Sequence, residues 1–541
     1  MSPVDRRGFL KAGGVLLGAG AVSAIPATAR ASAPRAAASR PYFPRGGRFQ
    51  HLYVVDDSDL TVPEGVLVGT LQGLVARDRS AAPVVSAGLP HVYVTTPNSP
   101  TSLWLADLQQ RYGVGITEVD SAWDLLARYR PHGISGYVLY DEDSSMSVAT
   151  TLGGITGSVA VHASIEDRVT ALGLGKTADV RGKDDAWLKA NYWGRLRHDF
   201  AVEQKPSFGF QLRDLATMAG APLFYDGNTA FRDDLVRSLD TDAPVIGWGD
   251  ASNGEDKFVS PSSMAGSFMV AADWGRNLST LSGVPAGLLR QHSHPAPPRA
   301  ERGVHYVSFV VTDGDNVQWL LTSLQNTAGW WASPQRGTVP LGWGIPPTLV
   351  DLAPSVMQWY YDDASTGKNA DEFVVGPSGS GYMYPSQYPA AKLAAHTARL
   401  DRYMARADLG VVQILDFNAL DKVDVWDAYT ARRSIDGLIY LEYSRYDGGN
   451  GEIVWSHGKP VISARHMLWD GLTGADETSV TAAINAAPRD PTSADGYTLV
   501  AVHAWSKGIA NIREVTDNLG PDVRVVTPGT FTNLIAHNVD H

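Results

Sequence analysis

The sequence lacks several features that define common classes of protein. It contains no cysteine among 541 residues, which excludes disulfides, thiol nucleophiles, cysteine-ligated zinc and iron–sulfur clusters. It also lacks an excess of basic residues, because 45 Lys and Arg stand against 57 Asp and Glu, and the resulting net charge of -12 repels phosphate backbones. Nucleic acid is therefore not an expected partner. Any metal would have to be bound by His, Asp, Glu or Asn.

Long apolar runs are also missing, apart from one near the N-terminus. Arg6 and Arg7 precede an apolar segment over residues 12–25, and Ala29 and Ala31 offer candidate cleavage sites. This order predicts a twin-arginine signal peptide over residues 1–31 and a secreted or extracytoplasmic protein. No run reaches the ~20 residues that span a bilayer, so no membrane span is expected in the mature protein. Residues 32–47 are predicted to be a disordered lead-in.

The first half of the mature chain alternates short β-rich runs with helical ones. This pattern predicts an N-terminal α/β region of two subdomains, over residues 48–180 and 181–290. Neither GxGxxG nor GxxxxGK[ST] follows any of its strand-like runs, so no nucleotide-binding function is predicted for it. Residues 291–303, rich in proline, are predicted to be a linker.

Eight strand-like runs follow the linker, separated by helical or loop stretches. They lie at Tyr306 to Thr312, Val339 to Gly344, Glu372 to Val375, Val411 to Asp416, Gly437 to Tyr443, Lys459 to Ala464, Thr498 to His503 and Val523 to Thr527. Eight β/α units in about 240 residues are typical of a TIM barrel. The predicted fold class is therefore α/β, with a C-terminal TIM-like (β/α) barrel over residues 304–541. A seven-stranded or irregular barrel would give the same pattern.

Two carboxylates follow the first strand of this predicted barrel. The strand runs directly into Asp313-Gly314-Asp315-Asn316. Functional residues of such barrels lie at the carboxyl ends of the strands. The pair is therefore predicted either to bind a hard cation through oxygen or to supply a general acid or base. An Asx turn that caps the next helix is the structural alternative.

A glycine-rich segment with several tyrosines follows the third strand. Gly379 and Gly381 allow the backbone to approach a ligand closely, and Tyr382 and Tyr384 offer rings and hydroxyls that suit sugars. These four residues are predicted to bind substrate. A glycine-rich turn whose tyrosines pack inward is the alternative.

The same segment carries a specific motif. Residues 379–385 read GSGYMYP and match every fixed position of GxGYxYP. The sequence thus resembles the family named after this motif, exported bacterial proteins catalogued as putative glycoside hydrolases. That family pairs an N-terminal α/β region with a barrel-like C-terminal domain, so the resemblance covers nearly all of the mature chain. It implies carbohydrate chemistry without naming a bond or a catalytic pair.

Further acids lie at the ends of the fourth and fifth strands. Asp416 ends the fourth strand, and Glu442 ends an otherwise apolar fifth strand. Burial would raise the pKa of Glu442 into the range where a carboxyl group donates a proton near neutral pH. A core salt bridge from Glu442 to Arg445 or Arg465 is the structural alternative.

Aromatic and histidine side chains are predicted to complete the sugar-binding surface. His466 follows the sixth strand, His503 and Trp505 follow the seventh, and Trp343 lies in the second. The histidines are candidate proton shuttles or metal ligands, and the tryptophans are candidate stacking platforms. Structural roles in the core are the alternative for each.

Three functions fit these residues. In the leading one, a glycosidase uses Glu442 as proton donor and Asp315 or Asp416 as nucleophile or base, with Asp313 beside them and no cofactor. The second is a deacetylase-like hydrolase with a divalent metal at Asp313 and Asp315. The third is a carbohydrate-binding protein without catalysis. All three make a carbohydrate the expected partner, and oligomeric state is not predicted.

Overall fold

The computed structural model describes residues 41–77, 88–291 and 299–541. The predicted signal peptide, residues 32–40 of the lead-in and residues 292–298 of the linker lie outside the described residues. No helix within the described ranges is long and apolar enough to cross a membrane.

The first part of the chain forms two small parallel sheets. Its elements are β1 (His51–Asp56), α1 (Val62–Ala76), β2 (His91–Thr95), α2 (Pro100–Tyr112), β3 (Gly115–Glu118), α3 (Ala122–Tyr129), β4 (Gly136–Tyr140), α4 (Asp143–Thr156), β5 (Ser158–His162), α5 (Glu166–Ala171), β6 (Lys176–Asp179) and α6 (Asp185–Tyr192). The strand orders are β2-β1-β3 and β5-β4-β6. Thr61 and Glu64 begin α1 with a capping box, which satisfies amide groups at the helix start.

A third parallel sheet follows, with the strand order β10-β9-β7-β8. Its elements are β7 (Ala201–Glu203), α7 (Arg213–Ala219), β8 (Leu223–Phe224), α8 (Ala230–Arg237), β9 (Pro244–Gly247), α9 (Asp256–Ala265), β10 (Phe268–Ala271) and α10 (Leu278–Leu281). Arg232 and Glu203 form a fully buried bidentate ion pair under this sheet. The α/β character of the N-terminal region is thus present, while its division near residue 180 stays a prediction.

The C-terminal region is built on one sheet of ten strands. Its elements are β11 (His305–Val311), α11 (Val317–Thr322), β12 (Leu341–Ile345), α12 (Leu349–Leu352), α13 (Pro354–Asp363), β13 (Asp371–Val375), α14 (Ala390–Ala407), β14 (Val411–Asp416), α15 (Val423–Thr430), β15 (Gly437–Glu442), β16 (Ile453–Ser456), β17 (Lys459–Ser463), β18 (His466–Leu468), α16 (Glu477–Ala486), β19 (Tyr497–Val502), α17 (Ile509–Asp517), β20 (Val523–Val525) and α18 (Pro528–Asn538). All eight strand-like runs of the sequence are strands, to within a few residues at their ends.

The sheet is curled, and one segment of chain touches both of its flanks. β17 pairs with β15, whereas β18, only two residues later, pairs with β19. The amide of Ala464 donates to the Tyr440 carbonyl (3.1 Å), and the next amide, of Arg465, donates to the Leu499 carbonyl (2.9 Å). The expected regularity of a TIM barrel is absent, because β16 is antiparallel and β20 pairs with only a short part of β11. The fold is mixed α/β with a curled, largely parallel sheet, and a TIM barrel is not confirmed.

Alternate residues of the central strands face opposite sides of the sheet. In β14 and β15 every residue is buried, so both faces are covered. Leu415 and Leu441 belong to the cluster inside the curl, whereas Ile414 and Tyr440 pack in the cluster on the helix side. This alternation decides which side chains reach the candidate site.

The first described residues differ from the predicted disordered lead-in. Tyr42 and Phe43 are both 1% exposed. The Tyr42 ring stacks on Tyr403 of α14 at a centroid distance of 5.6 Å, and its hydroxyl donates to Asp242 (2.8 Å) beside the third sheet. The segment is therefore packed between the third sheet and the C-terminal region, because burial of two aromatic rings stabilises it despite a composition rich in Ala, Pro, Arg and Gly.

Candidate functional site

A narrow pocket of about 20 Å³ lies where the third sheet meets the carboxyl ends of the curled sheet. The curled sheet contributes side chains from the loop after β11 and from the ends of β14 and β15, and the loop after β9 covers them. The lining residues are Trp248, Glu255, Thr312, Asp313, Asp315, Asn316, Pro377, Tyr382, Leu415, Leu441 and Tyr446. The pocket lies at the strand-end edge of this sheet, where the sequence analysis expects function, and a function at this edge stays a prediction.

Three carboxyl groups share this pocket. Burial, followed by the charges of Asp313 and Glu255, raises the pKa of Asp315 well above its ordinary value. Burial, followed by the charge of Asp313, raises the pKa of Glu255 to about 7. Within the described ranges, no Lys or Arg is among the charges acting on either group. The pocket therefore holds acids that keep protons near neutral pH.

Asp313 is oriented by two donors. Its Oδ1 accepts from Trp505 Nε1 (3.0 Å), and its Oδ2 accepts from the Thr312 hydroxyl. Its backbone has a φ of 62°, in the left-handed region that Asp tolerates better than most residues. The Trp505 side chain is 55% exposed, and its ring packs on Trp319 at a centroid distance of 4.9 Å.

Aromatic rings surround the acids. Trp248 and Tyr382 are nearly parallel at a centroid distance of 6.1 Å. On the other side His503 stacks on Trp469 at 3.5 Å, and Trp469 meets the ring of Tyr446 at 5.1 Å. Burial lowers the pKa of His503, while the charges of Asp313 and Asp470 oppose that shift. Rings next to carboxyl groups are a common arrangement in small-molecule sites.

The glycines of the GxGYxYP motif bring two parts of the molecule together. Tyr382 and Met269 of β10 form an antiparallel bridge with backbone hydrogen bonds of 2.7 and 2.9 Å. A Cβ at position 381 would lie 2.4 Å from the Met269 carbonyl oxygen, and one at position 379 would crowd His396. Gly379 also has a φ of 140°. The predicted contact of these glycines with a ligand is therefore replaced by a contact with protein.

The motif tyrosines have different positions. Tyr382 lines the pocket, and its hydroxyl is hydrogen-bonded to Glu255. Tyr384 is completely buried behind it, 3.3 Å from the Tyr382 hydroxyl, and its amide donates to Ser263. Tyr382 is thus placed to contact a ligand, whereas Tyr384 supports Tyr382.

Asp416 and Glu442 do not join the pocket acids. Each follows by one residue a leucine that lines the pocket, Leu415 or Leu441, so its side chain leaves the opposite face of the sheet. Asp416 is fully buried and accepts from the Ser386 amide (2.6 Å) and hydroxyl (2.8 Å). It fixes the turn after the motif, which is a structural role.

Glu442 lines a separate cleft of about 960 Å³ beneath the loop of residues 448–451. Its Oε2 accepts from the Asn418 amide (2.7 Å) and the Tyr440 hydroxyl (2.8 Å), and Ser444 contacts Oε1. The salt bridges considered from sequence are not formed in the described structure, since Arg445 pairs with Asp447 and Arg465 with Asp495. The carboxylate of Glu442 is held by neutral donors.

Two further predicted residues lie elsewhere. Trp343 is buried among Trp330 and Trp331, and its Nε1 donates to Asp371 (2.8 Å), so it is a core residue rather than a sugar platform. His466 lies on β18 and lines neither the pocket nor the Glu442 cleft. Burial lowers its pKa.

Glu255 was missed by the sequence analysis. It follows β9 by eight residues, in the segment Gly254-Glu255-Asp256 at the start of α9. The rule that selected Asp313, a carboxylate after the carboxyl end of a parallel strand, applies equally to β9. What the sequence could not supply is the contact between the third sheet and the curled sheet.

The geometry of the described residues gives no support for a metal ion bound at this site. In residues 41–77, 88–291 and 299–541, no group of three or more His, Asp or Glu side chains is arranged to hold a metal ion. The metal-dependent alternative at Asp313 and Asp315 stays a prediction.

The fold and pocket define a multidomain α/β protein with a carboxyl-lined site between two domains. The chain belongs to the GxGYxYP family, whose domain models match it in four consecutive segments. These are the first domain at residues 51–131, the second domain at 134–196, the third domain at 198–283 and the "putative glycoside hydrolase C-terminal domain" at 303–536. No curated protein sequence matches the chain.

A solved structure has the same architecture. It is described as a putative hydrolase from Bacteroides thetaiotaomicron VPI-5482, is 34% identical, and covers 93% of this chain and 98% of its own, with a TM-score of 0.82. A 4-alpha-glucanotransferase from Thermococcus litoralis is 9% identical over 43% of this chain and 40% of its own, with a TM-score of 0.29, which is too low to support an argument.

Proposed function

We propose that the protein hydrolyses glycosidic bonds of an oligo- or polysaccharide in the pocket between its third domain and the curled sheet. Membership of a family whose C-terminal domain is described as a "putative glycoside hydrolase" domain supports the substrate class. The observation that carries the proposal is the grouping of Glu255, Asp313 and Asp315 beside aromatic rings, with raised pKa values for two of the acids.

In the proposed reaction, Glu255 protonates the leaving-group oxygen. Its pKa of about 7 leaves a large protonated fraction at neutral pH, and Tyr382 orients it. Asp313 acts as nucleophile or as base for water, and the separation of the two carboxyl groups around the bound sugar decides between retention and inversion. Asp315, whose pKa is raised well above its ordinary value, keeps its proton in this proposal and is available to donate a hydrogen bond to the substrate.

The third domain supplies the proton donor in this proposal, and the curled sheet supplies the second carboxylate. Neither part would be active alone. The GxGYxYP motif supports this arrangement, because the bridge between Tyr382 and Met269 sets the position of the third domain against the curled sheet.

The test is the release of new reducing ends from a panel of plant, fungal and bacterial polysaccharides. The wild-type chain and Asp313→Asn are assayed with and without EDTA, and Asp421→Asn in the separate cleft is the matched control. We expect hydrolysis of at least one polysaccharide that survives EDTA and falls at least ~100-fold in Asp313→Asn.

Other outcomes choose between the alternatives. Activity that EDTA abolishes, or release of acetate instead of sugar, would favour metal-dependent deacetylation. Binding of a polysaccharide without any product would favour a carbohydrate-binding protein.

We also propose a role for the curled sheet and a route of export. The curled sheet is proposed to act as a TIM-like scaffold, supported by the segment from β17 to β18 that contacts both flanks. Export by the twin-arginine route is supported by Arg6 and Arg7 ahead of a weak apolar run. Replacing both arginines with lysine should stop export, and unchanged secretion would contradict it.

A further inference from the structure

A second cavity, of about 300 Å³, lies at the junction of three parts of the molecule. The first domain contributes Thr96 and Trp104, the third domain contributes Gln211 and Trp274, and the end of α11 contributes Thr322. Its volume is at the lower end of the range for small-molecule sites, which suits one or two small rings. The candidate function does not use this cavity.

The cavity favours an uncharged ligand. Charge in its described lining comes from Arg276, whose guanidinium is already paired with Asp57 and donates to Thr96 Oγ1 (3.1 Å). A phosphate or carboxylate ligand would have to compete with Asp57 for this guanidinium. The polar groups left to hydrogen-bond a ligand are therefore neutral hydroxyl and amide groups of the lining.

Two features of the lining are those that a sugar ring uses. The Trp274 side chain is 52% exposed although it is large and apolar, and Phe208 lies 6.4 Å from it, so aromatic surface is open to a ligand. The Gln211 Oε1 atom is buried and accepts no hydrogen bond from the described residues. An unsatisfied buried acceptor is costly, and a turn of the Gln211 amide into the cavity would let a ligand hydroxyl satisfy it.

The cavity is also close to the candidate site. Helix α11 begins next to Asn316, which lines the pocket, and ends at Leu321 and Thr322, which line the cavity. Its six residues span about 9 Å. The residue before Trp274, Asp273, is hydrogen-bonded through its carboxyl group to Gln318 of the same helix.

We propose that this cavity is a second sugar-binding site that holds a neutral saccharide unit of the substrate class, with the ring stacked on Trp274 and a hydroxyl donating to Gln211. The choice of saccharide rests on the proposed function. The neutral, aromatic and hydrogen-bonding character of the lining rests on the structure itself.

The test measures binding separately from hydrolysis. The full chain carrying Glu255→Gln, which blocks turnover, is titrated calorimetrically with neutral trisaccharides of α-linked glucose, β-linked glucose, xylose, mannose and N-acetylglucosamine. The same titrations are made with Trp274→Ala, Gln211→Leu and the control Leu288→Ala added. Leu288 serves as the control because its side chain, like that of Trp274, is large, apolar and exposed (74%), but it lies outside the cavity.

We expect at least one trisaccharide to bind and its affinity to fall about tenfold in Trp274→Ala, since a stacked aromatic ring contributes an energy of that order. Gln211→Leu should weaken binding by roughly threefold to tenfold, and Leu288→Ala by less than about twofold. A crystal soaked with that trisaccharide should show a ring on Trp274.

The proposal is overturned if no trisaccharide binds, or if the one that binds does so equally well in Trp274→Ala and Gln211→Leu. Hydrolysis is measured separately, on the wild-type chain and on Trp274→Ala in the wild-type background, where Glu255 is retained. Loss of hydrolysis with intact cavity binding would contradict the proposed function alone, and intact hydrolysis with no effect of Trp274→Ala would contradict the second site alone.

Discussion

The acids of the inter-domain pocket and the acids at the ends of β14 and β15 differ in how their oxygens are satisfied. Glu255 and Asp315 lie close to other carboxyl groups, and burial and like charge raise the pKa of each. Asp416 and Glu442 accept hydrogen bonds from backbone amides and hydroxyls. Burial raises the pKa of Asp416 too, but hydrogen bonds from Ser386 and Phe417 oppose that shift, whereas neighbouring carboxyl charges add to the shift of Glu255 and Asp315.

The comparison shows that a carboxylate at a strand end is not enough to identify a catalytic acid. The alternation of side chains along the strand decides, because Leu441 lines the pocket and Glu442, one residue later, lines the separate cleft on the opposite face of the sheet. Contacts between domains also decide which acids share the pocket, because Glu255 reaches it from the third domain.

Among the variants that test this difference between the two groups of acids, Gly381→Ala is expected to change stability and activity most. The new Cβ would lie 2.4 Å from the Met269 carbonyl oxygen, so the third domain must move away. Overpacking of this kind costs about 1–3 kcal/mol of stability, and a shift of Glu255 by ~1 Å can cost about 100-fold in activity. Thermal unfolding and turnover measure the two effects. Gly194→Ala, where a Cβ meets open space, is the matched control, and equal behaviour of both variants would refute the role of the motif in positioning the third domain.

A smaller effect is expected from pH. With a pKa of about 7, Glu255 loses its proton as pH rises, so kcat/KM should fall about tenfold per pH unit above 7. The pKa of Glu255 is about 7 in the folded state and 4.5 in the unfolded chain, so the folded state binds this proton more tightly. The contribution of Glu255 to stability is therefore present below pH 4.5 and is lost as pH rises through 7. Rates between pH 5 and 9, with circular dichroism to monitor folding, provide the check. A flat alkaline limb to pH 9 would be inconsistent with Glu255 as proton donor.

Asp416→Ala should affect stability without affecting catalysis. It leaves the buried Ser386 amide without its acceptor, which costs about 1–3 kcal/mol in the free energy of unfolding. Activity per folded molecule should stay within about threefold of wild type, because Asp416 does not line the pocket. Urea unfolding and turnover on the same sample test this, and a stable but inactive variant would place Asp416 in the mechanism.

Much of the fold could be predicted from the sequence. The eight strand-like runs of the C-terminal region and the apolar face of α14 follow from periodicity alone, and both are present. The short strands β16 and β18 were both missed, because four and three residues carry too little pattern. The partner switch between β17 and β18, which shapes the curl, depends on long-range pairing that leaves no local signal.

Less of the site could be predicted. Asp313, Asp315 and Tyr382 line the pocket, because strand ends of one parallel sheet meet at one edge. Trp505 donates to Asp313, and the charge of Asp313 acts on His503, but neither ring lines the pocket. The direction of Glu442 could not be read, since β15 is buried on both faces and its apolar residues do not reveal which face is inside. Glu255 required knowledge of how two domains dock.

The most direct test of the central claim, that the pocket acid Glu255 and not Glu442 is the proton donor, is the turnover of Glu255→Gln and Glu442→Gln measured side by side. The polysaccharide that the wild type hydrolyses is the substrate, and melting temperatures establish that both variants are folded. We predict at least ~100-fold loss for Glu255→Gln and less than about threefold loss for Glu442→Gln. The reverse order, with Glu442→Gln inactive and Glu255→Gln fully active, would contradict the account.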